Sequence, residues 1–386
     1  MIALTADHLL TPLEVIDQPI VVIENGSITE IASADERAIP ANAQHFNFAG
    51  SVLAPGFVDI HVHGGAGHDL MTADTAELSA IAKFLGSHGV SSYFPTTVTA
   101  PEEATLRALD SLATAIERTG GQGDSPAARP LGIHLEGPFL SHARRGVHLP
   151  ADLLEPTLER FERFWQAARG QIRLMTIAPE LPGALAVIAE AARRGVCVSL
   201  GHSDANFEEA TRGIEAGARH ATHTFNAMRP LNHRDPGILG AVLTDERITA
   251  DIIADGVHLD PAIVRMFLTL KGANHAVLIT DAIAATGMPD GRYRLGPLEV
   301  DVRDGRCMSN GSLAGSVLTM DRAIRNVMTF AGWDLARSVR LATLNPANAA
   351  KISGSAGQLI PGAAADLVVL SPTGEVRKTI VGGRMA

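Results

Sequence analysis

The chain begins and ends in short stretches where apolar and polar residues alternate with period two. IALT, PIVVIENGSITEIAS and HFNFAG occupy the start, and PGAAADLVVLSPTGEVRKTIVGG the end. Such alternation of β-branched residues predicts strands, with Asn25-Gly26 and Thr373-Gly374 as turns between them. Short strands at either end cannot bury a face alone. The termini are therefore expected to pair as one small, discontinuous β-sandwich domain, residues 1–51 with 353–386. Over 52–352 the pattern changes to apolar runs alternating with helical stretches such as AELSAIAKFLGSH, EEATLRALDSLATAIER and PGALAVIAEAARR. That alternation predicts a parallel sheet wrapped by helices, an α/β fold. Eight strand ends fall near His61, Thr97, Glu136, Ala178, His202, His223, Ala254 and Asp281, the count of a (β/α)8 TIM-like barrel. The stretch GGQGDSPAARP at 120–130 reads as a polar, Gly/Pro-rich loop.

This pattern matters for chemistry because each strand opens at its C-terminal end onto one face of such a barrel. His61, His63, Glu136, His202, His223 and Asp281 all stand where an apolar run stops, so residues spread over about 220 positions converge on one pocket. His61-Val62-His63 places two imidazoles on the same side of a strand. Gly64-Gly65 behind them permits a close backbone approach, as at a metal or substrate site. Glu136 follows apolar or small residues and is costly to bury without a cation. His202 or His223 alone reads as a hydrogen-bonded rim residue. Together with Glu136 they make a His₂Glu set with an open fourth position, the ligand count of a catalytic zinc site. Asp281, at the end of the strand that adjoins the first, is the candidate general base, with an N-cap as its plainer reading.

Composition narrows the function classes. The 386 residues are 46% hydrophobic and 19% charged, an ordinary globular balance. Net charge is −10, and no basic stripe is present to follow a phosphate backbone, which argues against a nucleic-acid partner. Of the two cysteines, Cys197 lies inside the apolar run GVCVSL, so no disulfide framework is indicated. The start MIALTADHLL has no signal-peptide pattern and no stretch has the length of a membrane span, so a soluble cytoplasmic protein is expected. The only lysines are Lys83, Lys271, Lys351 and Lys378, none at a strand end. A carboxylated lysine bridging two metals is thereby excluded, leaving Glu136 for any bridging.

APGFVDIHVHGG, HLEGPFL, the turn Gly146-Val147-His148, GHSDA, THTFNAMRPLNHRDPG, ADGVHLD, LITDAIAATGMPDGRY and NGSLAGS follow one another in this order. In them the chain resembles the amidohydrolase superfamily over essentially its whole length, and within it the N-acetylglucosamine-6-phosphate deacetylase family. The first motif marks only the superfamily; the others are more specific. The resemblance implies a barrel of the metal-dependent hydrolase type with one or two divalent ions per subunit, zinc foremost and iron, manganese or cobalt as alternatives. It implies Glu136, His202 and His223 as the principal metal site, and His61 and His63 as ligands available for a second ion. Asp281 would work the proton and His148 would polarise the acetamide carbonyl. Backbone amides at Asn226 and Ala227, and Arg234 reaching across a homodimer interface, would grip the phosphate. His258 and Val147 would contact the substrate, and the Leu313-Ala314-Gly315 loop would close over it. The products would be acetate and glucosamine 6-phosphate, in amino-sugar catabolism and cell-wall sugar recycling.

Two other readings compete. A cyclic amidohydrolase or ring deaminase has a neutral substrate, which gives no reason for a phosphate grip such as Arg234. A non-catalytic scaffold would be expected to have lost ligands or the base, whereas all six strand-end positions are filled.

Overall fold

In the computed structural model, which describes residues 1–11, 14–119 and 126–385, eight parallel strands form the ring expected from the central alternation. They are β1 (Phe57–Val62), β2 (Val90–Thr97), β3 (Ile133–Glu136), β4 (Ile172–Ile177), β5 (Cys197–Leu200), β6 (His220–Ala221), β7 (Thr249–Ile252) and β8 (Ala276–Leu278). Each pairs with the next. The ring joins up where the Asp281 N–H donates to the His61 carbonyl at 3.0 Å and Val62 bridges Ala282 in parallel. Helices α1 (Thr75–Ser87) and α2 (Glu102–Thr119) reproduce the helical stretches read from sequence. The α1 start is fixed by a capping box, Asp74 with Glu77.

The barrel interior departs from an all-aliphatic filling. Asp59, His134, Thr176, Ser199, His220, Thr222 and Asp251 are completely buried in it. Burial without a partner would cost a few kcal/mol for each such group. Here they satisfy one another: His134 Nε2 meets Thr176 Oγ1 at 2.8 Å, Thr176 meets Thr222 at 2.7 Å, and Thr222 meets Ser199 at 2.5 Å. A hydrogen-bonded layer therefore lies beneath the mouth.

The two termini share one eight-stranded sheet, with Leu367–Leu370 pairing against the second half of Gln44–Pro55. The sheet turns back on itself, since Ile28 N–H donates to Ala363 O and Ala365 N–H to Gly26 O. Asn25-Gly26 is the hairpin turn expected, both residues having positive φ. Period two explains how this sheet is fastened to the barrel. Leu53, Leu367 and Val369 enter the sheet's own core, while their neighbours Val52, Ala54, Val368 and Leu370 enter the barrel's. Strand Gln44–Pro55 runs across the expected 51/52 boundary for this reason.

One further expectation is corrected. Residues 120–125 of the polar loop lie outside the described residues; Ala127 and Ala128 are irregular as expected, but Arg129–Pro130 form a short strand. They are buried, Arg129–Pro130 pairs with Ser92–Tyr93, and Arg129 bonds the buried Asp366. The connection from β8 to α8 (Met320–Ala331) also contains an antiparallel meander, Gly291–Leu295, Leu298–Arg303, Arg306–Ser309 and Ser312–Leu313, with its own core of Leu298, Val300, Val302 and Cys307.

Candidate metal centre and active site

Left-handed backbone ends three of the strand segments. His202, His223 and Asp281 have φ of 47°, 29° and 51°, a region that side chains seldom occupy. Each chain turns sharply at the mouth there, and all three side chains line one cleft.

The result is two groups of donors sharing one carboxylate. Glu136 Oε1 lies 3.1 Å from His223 Nε2 and 3.4 Å from His202 Nε2, and these two nitrogens are 3.1 Å apart. The other oxygen, Oε2, lies 3.2 Å from His63 Nε2 and 3.5 Å from His61 Nε2. His61 and His63 are 3.1 Å apart, and Asp281 Oδ1 is 3.2 Å from His63. All six residues are buried. Donors held at ~2.1 Å from a tetrahedral ion are ~3.4 Å from one another, so both groups have the spacing of a cation site. Imidazole nitrogens converging on each other and on a carboxylate, under burial, also fit a cation electrostatically.

The charges follow that geometry. Burial alone would lower His63, but its bonds to Asp281 and Glu136 outweigh burial and lift its pKa to about 10. His223 is likewise lifted, against burial, to about 9 by Glu136. Burial wins at His202, which is lowered. Burial would raise both carboxyls, yet His61, His202 and His223 hold Glu136 well below its usual range, and His61 with His63 hold Asp281 at about 2. The protons on these imidazoles are what a divalent ion displaces on binding.

His148 packs edge-on against His202, with centroids 4.7 Å apart. Burial, reinforced by His202, pushes its pKa down to about 3, so the ring is neutral. Its Nδ1 accepts the Thr99 N–H at 3.4 Å, which leaves Nε2 to carry the hydrogen. His258 is fixed by Asp255 at 2.7 Å. His63, Glu136, Val147, His148, His202, His223, Asn226, Ala227, His258, Asp281, Leu313 and Gly315 all line one cleft.

Three expected contacts take a particular form within this chain. Arg234 is on an exposed turn, outside the cleft of its own chain. The Asn226 N–H donates to the His223 carbonyl at 2.9 Å, and one N–H of its side-chain amide reaches the same carbonyl at 3.3 Å, which leaves the other side-chain N–H and the Ala227 N–H for a phosphate. Ala314 is turned into the apolar core of the meander, while its neighbours Leu313 and Gly315 face the cleft. Gly64 is required by the protein's own chain, because a Cβ there would sit 2.3 Å from the His68 carbonyl and 2.9 Å from the Ala284 nitrogen.

Several residues that sequence reading passed over support the site. Val98, Ile253, Leu295 and Ser312 line the cleft. The Arg144 carbonyl meets His202 Nδ1 at 3.0 Å, and Glu180 accepts the Ser203 hydroxyl at 2.8 Å and the Asp204 N–H at 2.7 Å. Apart from the carboxylate of Glu180 soon after β4, no spacing signals them.

A barrel with this shared-carboxylate donor set is a metal-dependent hydrolase, and comparison with known proteins agrees. The chain belongs to the amidohydrolase family, whose model matches residues 52–386. It is 38% identical over 96% of its length to the N-acetylglucosamine-6-phosphate deacetylase of Lysinibacillus sphaericus, of which it covers 93%. It is 37% identical over 87% of its length to the N-acetylgalactosamine-6-phosphate deacetylase of Escherichia coli O157:H7, of which it covers 88%. The structure of a mutant N-acetyl-D-glucosamine-6-phosphate deacetylase from Mycobacterium smegmatis, bound to N-acetyl-D-glucosamine 6-phosphate, superposes with a TM-score of 0.92. That pair is 38% identical, and the match covers 100% of this chain and 98% of the other.

Proposed function

We propose that this protein hydrolyses the acetamide of N-acetyl-D-glucosamine 6-phosphate to D-glucosamine 6-phosphate and acetate. The observation that carries the reading is Glu136, which offers one oxygen to His202 and His223 and the other to His61 and His63, with Asp281 beside them. Similarity to deacetylases over nearly the whole chain supports the substrate class.

Glu136, His202 and His223 would hold the principal divalent ion, zinc foremost, with iron, manganese and cobalt as alternatives. His61 and His63 are free to hold a second. The ion supplies Lewis-acid polarisation of the carbonyl and a more acidic water. Asp281, ionised at neutral pH, takes the proton of the water that attacks the acetamide carbon. It then delivers that proton to the C2 nitrogen as the C–N bond breaks. The neutral His148 donates a hydrogen bond from Nε2 to the carbonyl oxygen as negative charge develops there. His258 and Val147 contact the sugar, and Leu313 and Gly315 cover it.

The phosphate is bound by the Ala227 N–H, the Asn226 side chain and the Arg234 guanidinium. An arginine can hold phosphate through two parallel hydrogen bonds. Arg234 is exposed and outside its own cleft, a position that suits service to the cleft of a second subunit in a homodimer. A cytoplasmic setting suits a phosphorylated sugar. Among the described residues no helix is long and apolar enough to cross a membrane.

The galactosamine relative gives a specific second reading, the C4 epimer as substrate. Acetate release from the two hexosamine phosphates and from unphosphorylated N-acetylglucosamine, with metal content counted, separates these cases. The expected result is a clear preference for N-acetylglucosamine 6-phosphate. No acetate from any of the three sugars, with metal bound, would refute the deacetylase reading.

A further inference from the structure

Strand β6 is only two residues long, and the chain leaves it in a strained turn that carries the ligand His223 with φ of 29°. A short strand followed by a strained turn is poor support for a ligand, because a metal site requires its donors to stay within about 0.5 Å of their geometry. What holds the turn is on the next strand. Asp251 of β7 accepts the backbone N–H of His223 through Oδ1, and its own carbonyl accepts the Thr224 N–H at 2.9 Å. Its other carboxylate oxygen, Oδ2, is fixed by His220 Nε2 at 2.8 Å, and the far side of that ring meets Thr249 Oγ1 at 2.7 Å. Asp251 and His220 are both completely buried and neither lines the cleft, so they touch no substrate.

We propose that Asp251, fixed by His220, is the positioning residue that holds His223 in its strained conformation and so sets the affinity of the principal metal site. This inference rests on the metal reading above. Groups that orient a ligand from behind typically control metal affinity by about 10- to 100-fold. Asp251 would do so through the ligand's main chain. The role differs from that of the Arg144 carbonyl, which meets the ring nitrogen of His202.

The test is Zn²⁺ affinity of the full chain, measured in competition with a chelating chromophore, with thermal unfolding of each metal-free variant recorded beside it. Asp251→Ala should bind Zn²⁺ about 10- to 100-fold more weakly. Asp251→Asn should stay near wild type, because its amide oxygen can keep the His223 N–H while its NH2 group meets His220 Nε2. His220→Leu, which frees Asp251 without removing it, should show an intermediate loss. Wild-type affinity in a folded Asp251→Ala protein overturns the proposal, as does an Asp251→Asn protein as weak as Asp251→Ala. If Asp251→Ala does not fold, wild-type affinity in His220→Leu overturns it instead. His223→Ala is the control. If that variant keeps full affinity the metal reading itself fails, whereas loss there together with no loss at Asp251 and His220 rejects only the positioning role.

Discussion

Asp281 faces His63 at 3.2 Å in a buried mouth, and its backbone is held by the His61 carbonyl on one side and by Ser316, whose N–H reaches the Asp281 carbonyl, on the other. A carboxylate so placed is replaceable in shape but not in charge. Asp281→Asn should keep the fold and the principal metal and lower kcat by about 10²- to 10⁴-fold, the usual contribution of general acid–base catalysis. Turnover close to wild type, with the metal counted, removes Asp281 from the proton-transfer role. At this scale the sequence was informative wherever the argument was periodicity. His61 and His63 share a side because side chains alternate along a strand, and the structure puts their Nε2 atoms 3.1 Å apart. It was silent on backbone conformation. Nothing local in GHSDA or THTF announces φ of 47° at His202 or 29° at His223, and nothing shows that the Asn226 N–H is taken by the His223 carbonyl.

Between elements, Asp321 makes one contact that joins segments distant in sequence and one within its own helix. Asp321, near the start of α8, binds His88 at the end of α1 at 3.1 Å and Arg325 one turn on at 2.8 Å. Burial raises Asp321, but the bonds from His88 and the Thr319 hydroxyl outweigh it and bring its pKa to about 2. With a folded pKa below the unfolded value, the ionised group adds stability above about pH 4 that is lost as pH falls through about 2. The amount is on the order of 2 kcal/mol. In acid titrations followed by circular dichroism, Asp321→Asn should be less stable at neutral pH. The gap to wild type should close between about pH 4 and 2. A constant gap over that range would dispose of the linkage. The meander after β8 was the element most readable in hindsight. LEVDVR alternates with period two, and Asp304-Gly305 and Asn310-Gly311 are hairpin turns. A β8-to-α8 connection is ordinarily short, so the barrel pattern leaves no place for a sheet there.

For the whole molecule, the proposal that Arg234 serves a neighbouring subunit has a consequence no single chain can show. Arg234→Ala should raise KM for the phosphorylated sugar and spare the unphosphorylated one. When unfolded and refolded together, Arg234→Ala and Asp281→Asn subunits should form mixed dimers with one cleft that has both residues intact. Activity should then exceed that of either variant alone, read as initial rates at low substrate. No recovery in mixtures shown by sedimentation to be dimeric would place Arg234 in its own chain's service.

The sequence by itself determined the class of fold and the convergence of the six strand-end residues on one mouth. Period-two and helical patterns depend only on local geometry, and a polar residue closing an apolar strand must point at the barrel mouth. Tertiary structure alone decided how those residues act together. Which oxygen of Glu136 serves which pair of histidines depends on contacts across the barrel. The turn of Ala314 away from the cleft depends on the packing of the meander beneath it. The holding of His223 by Asp251 depends on the neighbouring strand's register. Each is a contact between segments far apart in the chain, and no local pattern encodes it.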